Sequence, residues 1–147
     1  MAYPLLLQKI KEAREKNAFV IVFVHWGTES TTELDQAQLL QARDMSDAGA
    51  NLIIGAHPHI LQRIDFEGDT PVFYSLGNYI FNSKTIDTCM VVATIHKDGK
   101  LNVQMIPAIQ SDCTVKEAFG TDAERILQDM RNMSPGVIID SQGYISH

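Results

Sequence analysis

Ala18-Phe-Val-Ile-Val-Phe-Val-His25 and Asn51-Leu-Ile-Ile-Gly-Ala-His-Pro-His59 are the two stretches that decide how this chain folds. Each is a short apolar run that ends at a histidine. Between them, Leu34, Ala37, Leu40, Met45 and Ala48 define the core side of a helix over 34–48, and Gly49 is placed to cap its C-terminus. The apolar runs are continuous rather than alternating, which predicts strands buried on both faces. Strand, helix, strand in this order predicts a right-handed βαβ unit with parallel strands. Both histidine clusters then sit just beyond the carboxyl ends of adjacent strands, the edge at which open α/β sheets bind ligands.

Outward from this unit the pattern changes. Upstream, Pro4 suits a first helical turn, and Leu6, Leu7, Ile10 and Ala13 give a helical face to about Lys16. Downstream, 60–66 and 71–76 flank the turn-rich Glu67-Gly-Asp-Thr70 and predict a hairpin. A second hairpin is predicted for 89–96 and 101–106, around Lys97-Asp-Gly-Lys100. A last helix is expected over 122–131 with Thr121 as its cap, and Ser134-Pro-Gly136 ends it. The tail to His147 reads as weakly ordered or as a small strand.

At 147 residues the chain fits a single domain, 1–147, able to bury a core, and no repeat or linker divides it. Its 45% hydrophobic and 20% charged composition is that of a globular protein and argues against a disordered chain. The formal charge of -6 supplies no basic footprint, so nucleic acid is not an expected partner. No run of apolar residues is long enough to span a membrane. Met1-Ala-Tyr-Pro-Leu-Leu-Leu has neither the basic lead nor the long apolar centre of a signal peptide. Cys89 and Cys113 match no zinc or redox spacing and read as buried thiols rather than a bridge.

Three of the five histidines, His25, His57 and His59, end the two strands, and that distribution motivates a metal site. In an extended segment His57 and His59 would project to the same side, with Pro58 favouring extension at His57. His25 would join them from the adjacent strand, at about one strand spacing of ~4.8 Å. Neutral imidazoles suit borderline cations such as zinc, iron or nickel. The competing reading makes them structural histidines at polar strand ends. Glu29 and Glu33, in the loop after His25, are candidate carboxylates that could brace a metal-bound histidine, ligate the metal or donate a proton, or else are solvated loop charges. Asn78 follows a buried-looking run and either faces the same edge or serves a turn. Trp26 either walls the pocket or belongs to the core.

Four blocks together resemble a known family. They are Val24-His-Trp-Gly27 with Glu29, Asp47-Ala-Gly-Ala50, Ile54-Gly-Ala-His-Pro-His-Ile-Leu-Gln62 and Phe73-Tyr-Ser-Leu-Gly-Asn-Tyr-Ile-Phe81. Their order and spacing are similar to those of the CapA family, the bacterial capsule or poly-γ-glutamate synthesis proteins with a calcineurin-like metallophosphoesterase fold. Gly55-Ala56 stands where phosphoesterases usually have Gly directly before the first histidine. The resemblance implies two divalent ions, with manganese, iron and zinc not distinguished, at the edge of a β-sandwich flanked by helices. It carries metal binding to His25, His57 and His59, with Glu29, Asn78 and Trp26 as substrate-binding candidates and no catalytic residue assigned.

Family members begin with blocks that supply further Asp, Asn, Glu and His ligands. The chain therefore reads as the C-terminal half of such a domain, a βαβ unit followed by hairpins. The implied function is a metal-dependent hydrolase or transferase in capsule or poly-γ-glutamate synthesis when complete. Its implied partner is an anionic polymer or a small phosphate-containing substrate. The alternative is non-enzymatic polymer assembly, export or metal binding, with this portion catalytically inert. A membrane-anchored, extracellular location at the cell surface follows from the family pattern. A homodimer is expected through apolar surface that the other half would cover.

Overall fold

The computed structural model describes residues 2–147. Among them the elements run α1 (Ala2–Glu15), β1 (Ile21–His25), α2 (Gln36–Asp47), β2 (Leu52–Ala56), β3 (Ile64–Glu67), β4 (Thr70–Phe73), β5 (Ile86–Ile95), β6 (Leu101–Ser111), β7 (Thr114–Glu117), α3 (Gly120–Met133), β8 (Ile138–Ile139) and β9 (Ile145–Ser146). The fold is mixed α/β, with a parallel sheet and antiparallel hairpins. Among the described residues no helix is long and apolar enough to cross a membrane.

The first sheet has the order β1-β2-β4-β3, parallel from β1 to β4 and antiparallel between β3 and β4. The register pairs His25 with Ala56, so the two histidine clusters share one edge as the βαβ pattern requires. One face of this sheet packs on the helices: Val22, Ile53, Val72 and Tyr74 meet Ile10, Ala42 and Met45. The opposite face packs on a second sheet, β5-β6-β7, and on α3, where Leu52, Ile54 and Phe73 meet Cys89, Met105, Ile126 and Met130. β6 is long enough to hold both β5 and β7, and the turn after β5 centres on the expected Asp98-Gly99.

Several expectations are corrected. β1 is buried on one face only: Phe23 is 78% exposed and Ile21 37%. It is the edge strand of its sheet, and the second sheet, whose own edge is β5, covers β2 without reaching over β1. An apolar groove of about 630 Å³ runs between β1 and β5, lined by Phe23, Ile54, Leu76, Met90 and Val91. β2 meets the expectation, with Leu52 to Gly55 all buried. The last helix starts earlier than predicted, at Gly120, with Phe119 as its N-cap residue instead of Thr121. β7 follows a turn in which Asp112 and Cys113 both take positive φ, a conformation no local residue pattern announced. Both cysteines are free, but only Cys89 is buried and Cys113 is exposed.

Candidate metal centre

Three loops converge at the carboxyl edge of β1, β2 and β4. The first leaves β1 through Gly27, whose φ of +84° suits glycine and whose missing side chain admits the amide of Gln38. Gln38 and Gln62, 1% and 0% exposed, form a buried chain beneath this loop. Gln38 accepts from the Asp35 N–H and donates to Gln62, which in turn donates to the Thr31 carbonyl. Each of these links is 3.0 Å. A fully satisfied buried amide pair fixes backbone position rather than adding hydrophobic energy. Here it fixes the loop that carries Glu29.

The second loop is Ala56 to Ile60. The Ser30 N–H donates to the Pro58 carbonyl at 2.8 Å, tying the two loops directly. His57 and His59 are not extended: their φ values are 106° and 65°. The usual restriction of the residue before proline is overridden by these tertiary bonds. Positive φ at two non-glycine residues stores strain of the kind that clusters at ligand sites.

The third loop follows β4. Asn78, 7% exposed, lies 2.7 Å from His59 through its Oδ1 and the imidazole Nδ1. With the amide oxygen as acceptor, Nδ1 is the donor and Nε2 keeps its lone pair. That Nε2 points toward Glu29, 3.8 Å from its carboxylate. Phe81 stacks on a face of the His59 ring at 4.6 Å between centroids.

One ligand atom from each of Glu29, His57 and His59 lies within 4.8 Å of the other two. Two neutral imidazoles and a carboxylate match the donor preferences of zinc and related divalent cations, so the residues present fit such an ion. His25 stands beside this trio, with its ring 4.6 Å from that of His57 and tilted by 54°. Glu29, expected among substrate contacts, thus sits with the histidines. Asn78 is occupied in holding His59. Trp26 is 7% exposed in the helix-side core, stacked on Tyr74, with its indole N–H donated to the Tyr74 carbonyl at 2.8 Å. Phe81 and the Gln38–Gln62 pair were not singled out from sequence. Phe81 and Gln62 lie inside two of the four family-like blocks, but nothing local marks Gln62 and Gln38 as partners.

A mixed α/β protein with a His/Glu candidate metal site at the edge of its parallel strands is the class that fold and site define. Within that class the chain belongs to the bacterial capsule synthesis protein family PGA_cap, whose family model matches residues 2–83. That range contains all three histidines, Glu29 and Asn78. The chain is 37% identical over 106 residues to the PGA biosynthesis protein CapA of Bacillus subtilis (strain 168), covering 70% of this chain and 28% of that protein. It is 31% identical over 138 residues to the capsule biosynthesis protein CapA of Bacillus anthracis, covering 90% of this chain and 34% of that protein. An uncharacterized protein, y4sH of Sinorhizobium fredii, is 34% identical over 80 residues, covering 52% of this chain and 17% of that protein. The chain thus spans about a third or less of the length of these relatives.

Proposed function

We propose that this chain supplies one side of a divalent-metal centre in a protein of capsule or poly-γ-glutamate synthesis, and that the complete protein is a metal-dependent hydrolase or transferase. The observation that supports it most is the convergence of Glu29, His57 and His59 in a chain of this family. His57, His59 and Glu29 would hold an ion, with His25 beside them for a second one. Asn78 keeps Nε2 of His59 available as a ligand. A bound divalent ion would supply Lewis acidity and lower the pKa of attacking water. The fold is read as part of a metallophosphoesterase-like β-sandwich, with α1 and α2 on the outer face of the first sheet and α3 packed into the core that the two sheets share.

The test replaces His57 and His59 with alanine in the complete protein and follows both polymer output and hydrolysis of phosphate esters and γ-glutamyl polymer. Loss of both supports the enzymatic reading. Lost hydrolysis with unchanged polymer output favours the non-enzymatic one, in which metal serves assembly or export.

The uncovered face of β1 favours a partner as well. β1 carries no Lys, Asp, Glu or Pro, the usual guards of an edge strand. An edge without these guards is open to pairing with another strand. Antiparallel pairing about Phe23 with a second copy would cover Phe23 and Ile21 on both chains.

A further inference from the structure

A polar cavity of about 320 Å³ opens directly off the metal-site residues, sharing Glu29, His59 and Asn78 with them. Glu29 and His59 form one wall, and Ser30, Asn82 and Lys84 contribute to the rest. Lys84 takes part in none of the ion pairs found among the described residues. In a chain of formal charge -6, a free ammonium at this place is a local exception.

The segment carrying Lys84 is held from beneath. Gln110 of β6 is 0% exposed, yet its amide donates to the carbonyls of both Asn82 and Lys84. The Cys113 N–H adds a bond to the Asn82 carbonyl at 2.9 Å, and the Lys84 N–H donates to Asn82 Oδ1 at 3.0 Å. A buried amide committed to two loop carbonyls fixes the loop's path along the cavity rim.

A cation, an amide and a hydroxyl around a small polar cavity match an oxyanion. Glu29 opposes an anion there while its charge is free. A divalent ion bound by Glu29 and the histidines reverses the local sign. Metal and anion binding are therefore coupled, each strengthening the other. We propose that this cavity is an oxyanion subsite with Lys84 as its cation, receiving a carboxylate or phosphate group beside the metal centre; it rests on the metal reading above.

The test is calorimetry on the manganese-loaded chain, titrated separately with inorganic phosphate and with a γ-linked glutamate trimer. It compares wild type, Lys84→Gln, Lys84→Arg and, as an equal charge change on the β5–β6 turn, Lys97→Gln. All four chains should bind manganese alike. At least one anion should bind wild type, and about tenfold more weakly to Lys84→Gln, as expected for one charge-assisted contact. Lys84→Arg and Lys97→Gln should stay within about twofold of wild type. Preference for phosphate or for the trimer identifies the source of the oxyanion. Equal anion affinity in wild type and Lys84→Gln, or no anion binding at millimolar concentration, overturns the subsite and leaves the metal centre standing. Failure of manganese to bind overturns both.

Discussion

Replacing Gly55 with alanine should destabilise the chain by several kcal/mol although it adds one methyl group. A Cβ at this position would lie 2.1 Å from the Tyr74 carbonyl oxygen and 2.4 Å from the Trp26 indole nitrogen. Ordinary carbon–oxygen contact begins near ~3.3 Å, so the backbone after β4 must retreat by roughly 1 Å. The retreat breaks the 2.8 Å bond from Trp26 to Tyr74, in a region where both residues are buried. Overpacking costs about 1–3 kcal/mol and an unsatisfied buried donor about 1–3 more, giving roughly 2–6 kcal/mol together. Trp26 is the sole tryptophan, so its fluorescence reports unfolding from the perturbed place itself. In urea, with a slope of about 2 kcal/mol/M, the midpoint should fall by about 1 M or more. Because Ala56 and His57 follow directly, metal affinity should drop as well. A midpoint equal to that of wild type would show that the close approach of β2 and the post-β4 segment is not as described.

Other outcomes follow from the same geometry. Asn78→Leu should weaken metal affinity about 10–100-fold while Asn78→Asp retains it, and nitrogen-detected NMR should show the His59 Nδ1–H tautomer only where an oxygen acceptor remains; equal affinities would remove Asn78 from the site. Tyr74 is fully buried and its hydroxyl finds no partner among the described residues, so Tyr74→Phe should be neutral or stabilising by about 1 kcal/mol in urea unfolding. Burial pushes the Cys89 thiol up from 9.0 to about 12, so the unfolded chain loses that proton first. Stability should therefore be intact below pH 9 and fall between pH 9 and 12, with a shallower fall in Cys89→Ala. Sedimentation should show a dimer of the wild-type chain that Phe23→Asp dissociates, and a wild-type monomer at high concentration would count against β1 pairing.

The βαβ unit was legible because its signals are local: apolar runs, helical spacing and abrupt polar ends fix element type and order. From order alone, parallel pairing brings His25 beside Ala56, so the gathering of the histidines was legible too. What escaped was whatever depends on a distant segment. Phe23 belongs to an apolar run, but its exposure is set by how far the β5 edge reaches. Pro58 argues locally for extension at His57, yet bonds from Ser30 and to Asn78 set a different backbone. Glu29 was one loop acid among others until Gln38 and Gln62, 24 residues apart, fixed its loop. Gln110 reads as an ordinary polar residue in a strand, and only the fold reveals that it holds the Lys84 segment.

The most direct measurement is a calorimetric titration of manganese or zinc into the chain, beside Glu29→Gln, His57→Ala and His59→Ala. The account predicts saturable binding by wild type, weakened at least about a hundredfold by each substitution, since even outer partners of a ligand cost 10–100-fold. Saturable binding that survives all three substitutions, or no binding by the folded wild-type chain, would contradict it.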